Sequence, residues 1–439
     1  MAPPDRGPAP TADPPSSVVV VGAGLAGAQT VAALRTHGFT GAITVLGAEG
    51  VPPYDRPPLS KELLSRAEPA WLAGELGVDV TALADDVRLA DPAARLVTAT
   101  GPTEQHVVVT RSGERLRADA VVLAVGSAPV RPAAWESALV LHTAAEAATL
   151  RAVVHPGQRL VVVGAGWIGA EVAGIAAGAG ADVTVVEAGP APLGRQLGND
   201  VGAHLARWYA EAGARLVTDA AVVDVRPDGV GLAGGGRVPA DVVLVAVGAR
   251  PSTAWLDGVV PRDATGAITV DAAGAVLGRT RLWAVGDCAT RVHPEIGAVP
   301  GGHWSAALHD PDATARAVVG LDPHDAPPHA PYVFSQQLGH DVALLGVREA
   351  GDDAVLRGDP SGGASGRDPW SVVYLDPTDH GRTDDAGRAV RRAHAVLLVD
   401  SPRDVGAVRR VVTRAPRPDV VLDLVADPTV RWRDVTASR

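Results

Sequence analysis

Two glycine-rich turns are the strongest candidates for chemistry in this sequence. The first, VVVVGAGLAG, spaces Gly22, Gly24 and Gly27 as GxGxxG directly after a β-branched run. In this spacing the first glycine permits a tight turn, the second lets the backbone approach a pyrophosphate, and the third allows close helix packing on a sheet. Because a helix N-terminus presents unpaired N–H groups, phosphates would bind there. The turn predicts a dinucleotide site, but alone it is a weak signal in a chain with 50 glycines.

The second turn, VVVGAGWIGAE, repeats the pattern at Gly164, Gly166 and Gly169. The strand after it ends in Glu187, eighteen residues past Gly169, close to where a carboxylate would accept a hydrogen bond from a ribose 2′-hydroxyl. This favours NADH over NADPH. After the first turn the corresponding strand has no terminal carboxylate. Glu49 is the candidate for the adenosine ribose there, and a solvated loop acid is the equally open alternative.

Each turn needs a strand before it and a helix after it. Apolar periodicity predicts strands at 17–21 and 42–46 around a helix at 25–35, and strands at 159–163 and 182–187 around a helix ending near 179. Other apolar runs stop at Gly126, Gly248 and Gly286, which is typical of strands that end at a ligand-facing edge. After about residue 322, alternating strands and a closing helix near Asp404 indicate a separate domain. The predicted fold class is α/β, with two Rossmann-like dinucleotide-binding domains and a C-terminal α+β domain.

Composition disfavours several classes of protein. A chain of 439 residues that is 46% hydrophobic and 20% charged is typical of a folded protein of roughly three domains. No run approaches the roughly 20 apolar residues of a membrane-spanning helix, and a formal net charge of -11 disfavours attraction to nucleic acid or anionic membrane. The single cysteine, Cys288, cannot form an internal disulfide or a thiolate zinc site, so no metal is expected and the cytoplasm is the expected location.

The basic residues are unevenly distributed. Lys61 is the one lysine among 39 basic side chains. Ammonium is compact and can lose its proton, so Lys61 indicates a place where guanidinium would not serve. The alternative is that its position is due to chance. Residues 380–439 carry twelve arginines against eight aspartates, so this part of an acidic chain is the expected face for an acidic partner.

A third motif, YDRPPLSKELL, covers Tyr54–Leu64. Together with the two turns and the late LWAVGDCA, it resembles the FAD-dependent ferredoxin and rubredoxin reductases that serve oxygenases and are related to apoptosis-inducing factor. The resemblance extends over nearly the whole chain. It implies an FAD domain in two pieces, an inserted NADH domain and a C-terminal domain that helps form the flavin pocket. The implied boundaries are a disordered tail at 1–16, FAD-binding parts at 17–127 and 250–325, an NADH-binding domain at 128–249, and a C-terminal domain at 326–439.

The resemblance also implies roles for individual residues. Arg56 and Lys61 reach the flavin, Asp287 binds the ribityl chain, and Glu171 lies close to the nicotinamide. An ion pair between Lys61 and Glu171 is therefore expected, and these two are the candidate catalytic residues. The alternative for Lys61 is a solvated charge on a helix.

Two segments carry the family pattern with changes. HWSAA, 303–307, resembles a stretch in which tryptophan contacts the flavin, which makes Trp304 a candidate, although upstream family residues fall on Pro300 and Gly302. PYVFSQQ, 331–337, has Phe334 and Gln336 where the family has tryptophan and aspartate. Both aromatic side chains have an alternative as core residues. Likewise, Trp167 either covers a cofactor or fills a hole. The complete cofactor-binding set is Gly22, Gly24, Leu25, Ala26, Gly27, Glu49, Arg56, Lys61, Ala124, Gly126, Gly164, Gly166, Trp167, Ile168, Gly169, Glu171, Glu187, Arg195, Gly248, Gly286, Asp287, Trp304 and Phe334.

The expected function is electron transfer from NADH through FAD to a [2Fe-2S] ferredoxin or a similar small carrier, by a monomer or homodimer. Nicotinamide gives electrons in pairs and an iron–sulfur centre takes one at a time, so a flavin is needed between them. Two alternatives remain open: an NADH oxidase or quinone-type reductase, and a redox-gated binding protein. Disulfide reductases need a cysteine beside the flavin, and this chain has none in the first βαβ segment.

Overall fold

Each glycine turn follows a short valine-rich strand in the computed structural model, which describes residues 14–101, 104–293 and 295–437. The strands Ser17–Val21 and Arg159–Val163 are each buried at four of five positions. β-Branched side chains suit a strand covered on both faces, which is the situation of a central parallel strand. The chain folds into two compact units.

The first unit contains the described residues of Met1–Asp55, Trp71–Ser127 and Pro251–Pro327. Its centre is a five-stranded parallel sheet in the spatial order Leu282–Ala284, Ala120–Leu123, Ser17–Val21, Ala42–Leu46 and Asp86–Arg88. The helices Leu25–Thr36 and Trp304–Val318 pack together, and His37 Nε2 lies 2.8 Å from Asp312 Oδ1. Further elements are the strands Ala93–Val97, His106–Thr110, Arg115–Ala118, Ile268–Val270, Ala289–His293 and Gly297–Pro300, the helices Leu72–Glu75 and Val80–Leu83, and the 3-10 turns Ala254–Leu256, Gly286–Cys288 and Pro323–Asp325.

The second unit contains Arg56–Ala70, Ala128–Arg250 and the described residues of Pro328–Arg439. A four-stranded parallel sheet has the order Arg215–Val217, Asp182–Val186, Arg159–Val163 and Val242–Val245. Thr143 and Glu146 form a capping box that starts the helix Ala144–Val153. Around the sheet lie the helices Pro58–Lys61, Ala144–Val153, Trp167–Gly178, Gly194–Leu197 and Asn199–Glu211, the 3-10 turn Ala133–Trp135, and the antiparallel strands Val222–Arg226, Gly229–Leu232 and Arg237–Pro239.

The C-terminal part of the second unit is a seven-stranded antiparallel sheet. Its main path is Tyr332–Gln337, His340–Gly346, Ala389–Val399, Trp370–Leu375 and Asp353–Arg357, and Arg382–Thr383 and Asp419–Val421 also pair with the long strand. The helix Pro402–Arg414 buries Val408 and Val412 against this sheet. The remaining elements of this part are the helix Leu422–Ala426 and the 3-10 turns Gly363–Ser365 and Trp432–Asp434. Four short strands occur where the chain passes from one unit to the other: Tyr54–Asp55, Ala70–Trp71, Ser127–Pro129 and Ala249–Pro251.

Specific contacts join the C-terminal sheet to the parallel sheet's helices within the second unit. The rings of Trp208 and His340 stack with centroids 4.1 Å apart. The Tyr374 hydroxyl donates a hydrogen bond to the Leu197 carbonyl at 2.8 Å. These buried aromatic contacts explain why the C-terminal domain groups with residues 128–250.

The grouping of Arg56–Ala70 differs from the predicted boundaries, which placed this segment in the first FAD-binding part. Its physical basis is Arg151, whose guanidinium donates to the carbonyls of Leu63 at 2.7 Å and Arg66 at 2.6 Å. A local sequence pattern does not show such long-range capping of a turn.

Most of the predicted tail, residues 1–13, lies outside the described residues. Ser16 was wrongly included in that tail, because its backbone N–H and its hydroxyl donate to Asp119 at 2.8 and 2.6 Å. The hydrogen bonds from Ser16 and Gln105 lower the pKa of Asp119 to about 2. Across the described ranges, the helices are too short or too polar to cross a bilayer.

Candidate functional site

The first glycine turn has the steric pattern that dinucleotide binding requires. Gly22 has φ +118°, and a Cβ added there would lie 2.1 Å from the Ala124 carbonyl oxygen. A Cβ on Gly27 would lie 1.9 Å from the Gly22 carbonyl oxygen. By contrast, a Cβ on Gly24 would meet no atom within 4 Å. Two glycines are therefore needed for packing, while the middle one leaves space beside the N-terminus of the helix Leu25–Thr36, which Leu25 and Ala26 begin.

The second turn repeats this geometry. A Cβ on Gly164 would lie 2.6 Å from the Ala246 carbonyl oxygen, and one on Gly169 would lie 2.1 Å from the Gly164 carbonyl oxygen. The nearest atom to a Cβ on Gly166 is 3.8 Å away. Trp167 is partly buried at the first residue of the helix Trp167–Gly178, and Ile168 beside it is exposed. Both turns thus leave their middle glycine open.

Glu187 is held directly at the second turn. One carboxylate oxygen accepts the Ala165 backbone N–H and the other accepts the Gly189 N–H, both at 2.8 Å. Each oxygen keeps acceptor capacity after these bonds. The carboxylate is therefore oriented by the backbone and can still accept a hydroxyl donor.

Glu49, after the first turn, has a different environment. Its side chain is exposed and accepts a hydrogen bond from the Tyr54 hydroxyl at 2.5 Å. Tyr54 is buried and packs edge-on against Trp71. The predicted ribose contact stays a prediction, and the Tyr54 hydroxyl holds one oxygen of the Glu49 carboxylate.

The other candidates of the first unit lie at strand ends and on the late helix. Ser127 donates to Asp287 Oδ2 at 2.9 Å. Gly286 has φ +70°, and a Cβ there would lie 2.8 Å from the Ala26 Cβ, so the GDC turn packs against the first glycine turn's helix. Trp304 is partly buried and donates its indole N–H to Asp55 Oδ1 at 2.9 Å. Ala124 is buried, and Gly126 has φ +65° after the strand Ala120–Leu123.

A polar cluster of the second unit surrounds Glu171. This carboxylate is 3% exposed, and Lys61 Nζ lies 2.7 Å from its Oε1 atom. Ser335 also donates to Oε1, at 2.5 Å, and Ser60 donates to Oε2 at 2.5 Å. The expected ion pair is present, and Lys61, 18% exposed, is not a solvated surface charge. A buried carboxylate with three donors is the arrangement that makes burial of its charge tolerable.

The remaining candidates of the second unit are less enclosed. Arg56 donates to the His142 carbonyl, and the exposed Arg195 donates to the Val247 carbonyl at 3.3 Å. Gly248 has φ +113°. Phe334 is 39% exposed, so the alternative that made it a core aromatic is wrong. It lies on the edge strand Tyr332–Gln337, where alternate side chains face opposite sides.

Sequence reasoning missed Ser60, Ser335 and Gln337. Gln337 donates its side-chain N–H to the Ser335 hydroxyl at 3.1 Å, and both residues are buried. Ser60 stands beside Lys61 in the quoted motif, and strand alternation from Phe334 would have placed Ser335 on the opposite face. Neither signal identifies the partner, because Glu171 lies 111 and 164 residues away from the two serines.

Cys288 is fully buried, and its Sγ atom lies 3.3 Å from each of the carbonyl oxygens of Leu123 and Val285, either of which can accept its single proton. Burial raises the pKa of this thiol to about 11. A protonated, inaccessible thiol is inert, so Cys288 is a packed core residue.

A model of the pyridine nucleotide-disulphide oxidoreductases matches residues 16–307, well over half of the chain. The chain belongs to this family. It is 32% identical to the ferredoxin--NAD(+) reductase component of the p-cumate 2,3-dioxygenase system of Pseudomonas putida, over 95% of this chain and 98% of that protein. It is 33% identical to the corresponding anthranilate 1,2-dioxygenase component of Burkholderia cepacia, over 96% and 98%.

Solved structures of the family have the same fold. The crystal structure of Fdr9 superposes with a TM-score of 0.82 at 35% identity, covering 95% of this chain and 99% of that one. The putidaredoxin reductase of a covalent complex with putidaredoxin superposes with a TM-score of 0.79 at 25% identity, over 95% and 97%. The comparisons confirm the resemblance to ferredoxin reductases, the two-dinucleotide α/β fold and the oxidoreductase class.

Proposed function

We propose that this chain passes electrons from NADH through bound FAD to a ferredoxin. Its relatives over nearly their full length are named as ferredoxin--NAD(+) reductases of oxygenase systems. The observation that carries the proposal within this chain is the ion pair of Lys61 with the buried Glu171, which is the fifth residue of the second glycine-turn helix. A lysine and a glutamate that are both largely removed from water and held together by hydrogen bonds can place a fixed charge next to a dinucleotide turn.

The residues present fit two dinucleotides. Gly24 and Gly166 leave open the two places where a pyrophosphate would approach a helix N-terminus. We assign FAD to the first turn, with Asp287 and Trp304, and NADH to the second, with Glu187 on the ribose. Bound FAD supplies the exchange between an electron pair and single electrons.

The chain's own contribution is charge and position. Lys61 would supply a fixed positive charge to bound FAD, and such a charge favours the reduced form. Glu171 holds the ammonium in place, and its low exposure of 3% keeps bulk water from competing for the pair. Arg56 is a partly buried residue, and we assign it to the flavin because it lies in the same YDRPPLSKELL motif as Lys61.

The disulfide chemistry in the family's name does not apply to this chain. The sequence contains one cysteine, and Cys288 is enclosed in the core with its pKa raised to about 11. A disulfide reductase needs a reactive thiol beside the flavin. The electrons must therefore leave to an external acceptor.

Several finer assignments belong to the same proposal. The carrier is a [2Fe-2S] ferredoxin, the enzyme acts in the cytoplasm as a monomer or homodimer, and NADH is preferred to NADPH. Of the C-terminal arginines, several are neutralised, for example Arg382 by Asp379 and Asp419 and Arg388 by Asp384. The helix Pro402–Arg414 instead exposes Arg403, Arg409, Arg410 and Arg414, which among the described residues form no ion pair, and we assign it to ferredoxin docking.

The test begins with the absorption spectrum of the purified protein. We expect a flavin spectrum that NADH bleaches without oxygen, followed by reduction of ferredoxins from a panel. A colourless protein that takes up no FAD contradicts the proposal. Fast NADH consumption with oxygen or quinones, and none with ferredoxin, would instead identify an oxidase or quinone-type reductase. Slow turnover with every acceptor, together with an NADH-dependent change in oligomer size, would identify a redox-gated binding protein.

A further inference from the structure

The C-terminal sheet supplies a hydrogen-bond relay to the Glu171 carboxylate. We infer that Ser335 is a positioning residue whose hydroxyl, directed by Gln337, keeps Glu171 Oε1 on the Lys61 ammonium. The role of Lys61 in this inference rests on the proposed function, whereas the hydrogen-bond geometry is independent of it.

The direction of the relay follows from the donor types. The Gln337 Nε2 group can only donate, and it donates to the Ser335 Oγ atom at 3.1 Å. The Ser335 proton therefore points to Glu171 Oε1, where the oxygens are 2.5 Å apart. Ser335 and Gln337 are 1% and 2% exposed, so water does not offer a competing partner. The hydroxyl has one orientation, and that orientation serves the carboxylate.

The two oxygens of Glu171 have distinct sets of donors. Oε1 accepts both Lys61 Nζ and the Ser335 hydroxyl, while Oε2 accepts the Ser60 hydroxyl. If Ser335 is removed, the carboxylate is restrained by Ser60 on one side and can rotate away from the ammonium. Because an ion pair depends strongly on geometry when it is buried, the loss of Ser335 weakens the contact with Lys61.

Backbone packing brings the strand close enough for this contact. Ser335 and Gln337 are two residues apart on the strand Tyr332–Gln337 and therefore face the same side. Gly174 lies three residues after Glu171 on the helix Trp167–Gly178, on the same face. A Cβ on Gly174 would lie 2.9 Å from the Leu338 N atom and 3.0 Å from its Cα. Glycine at 174 thus permits the close approach of strand and helix.

The sole lysine makes the relay measurable without turnover. An amine reagent can label only Lys61 and the α-amino group, so peptide mass spectrometry gives the Lys61 labelling rate with the α-amino group as internal reference. We expect Ser335→Ala to label Lys61 about three- to tenfold faster than the parent chain, since a hydrogen bond to a charged group has been lost. Ser371→Ala is the matched control, because it removes another buried serine hydroxyl from the same sheet.

A double-variant cycle separates a relay from general loosening of the sheet. Gln337→Met should speed labelling less than Ser335→Ala does, and the double variant should label no faster than Ser335→Ala alone, because Gln337 acts only through Ser335. Additive effects, or a labelling rate in Ser335→Ala equal to that of Ser371→Ala, would overturn the inference. If Ser335→Ala does not fold, Gln337→Met against Ser371→Ala decides the same question.

A kinetic measurement connects the relay with the proposed function. In FAD-loaded Ser335→Ala, we expect slower flavin reduction at saturating NADH with an unchanged NADH concentration for half-saturation. Unchanged reduction alongside faster labelling would leave the relay standing and contradict the role of Lys61. Unchanged labelling would contradict the relay whatever the enzyme does.

Discussion

Lys61 and Glu171 are 110 residues apart in the sequence, and their charged groups are 2.7 Å apart in the structure. The lysine ends the four-residue helix Pro58–Lys61, and the carboxylate lies on the second glycine-turn helix. Replacing Lys61 by methionine keeps most of the aliphatic stem and removes the charge. We expect flavin reduction by NADH to slow by about 10²-fold, the size of effect that follows from losing one preorganised charged donor. Rapid mixing with NADH measures it.

Lys61→Arg is the companion variant. It retains positive charge but replaces a compact ammonium with a planar guanidinium, which cannot reproduce the single 2.7 Å contact of the ammonium in the same geometry. We expect a rate of flavin reduction between that of the parent and that of Lys61→Met. A reduction rate for Lys61→Met equal to that of the parent would remove Lys61 from the mechanism.

Coenzyme preference should depend on Glu187. The variant Glu187→Arg removes an acceptor for the ribose hydroxyl and supplies a charge for a 2′-phosphate, so the ratio of kcat/KM for NADH to that for NADPH should fall at least about tenfold. Asp182→Arg is the control, since it makes the same change of charge at the exposed start of the same strand. A control that alters the ratio as strongly would show that charge alone is responsible.

Cys288 should take no part in electron transfer and should not react with a thiol reagent in the folded protein. With its pKa near 11, about one thiol in 10³ is ionised at pH 8, and the side chain is inaccessible as well. We expect a thiol reagent to label Cys288 only after denaturation. Cys288→Ala should retain full ferredoxin reduction and lose about 1 kcal/mol of unfolding free energy through the small cavity. Rapid labelling of Cys288 in the folded protein, or loss of ferredoxin reduction in Cys288→Ala, would show that the thiol takes part in the reaction.

Ferredoxin docking should be sensitive to the exposed arginines of the helix Pro402–Arg414. Arg410→Gln should raise the KM for ferredoxin roughly threefold at low salt, and the difference should shrink at 0.15 M salt and above, where exposed charges are screened. Arg388→Gln makes the same change in net charge but removes an arginine that is paired with Asp384. Equal effects of the two variants would show that only net charge matters, and a salt-independent KM would exclude electrostatic docking.

Asp119 should make the start of the first strand sensitive to acid. Its folded pKa is lowered from 3.8 to about 2, chiefly by the Ser16 hydroxyl, so its contribution to stability is present above pH 4 and is lost as the pH falls towards 2. Asp119→Asn should therefore reduce the unfolding free energy by about 1 kcal/mol at pH 7 and by less at pH 3. Urea unfolding at both pH values measures this, and a pH-independent difference would contradict it.

Local sequence was sufficient for much of the fold. Apolar runs and the glycine spacing predicted the strands Ser17–Val21, Ala42–Leu46 and Arg159–Val163 to the residue. They predicted the first following helix, and the end of the second, to within one residue, although the second helix begins at Trp167, inside the predicted turn. The roles of Arg56, Lys61 and Glu171 came instead from the resemblance of one motif to a family, since spacing alone could not relate residues 110 positions apart.

Local sequence specifies the two turns, because tight backbone approach restricts a position to glycine in a way that can be read from a dozen residues. The donors around Glu171, the neutralisation of individual arginines and the grouping of Arg56–Ala70 with the second unit could not be predicted from local patterns. Those outcomes depend on side chains from distant segments meeting in one place. A hydrogen bond requires donor and acceptor within about 3 Å, and no local pattern specifies that distance across the chain.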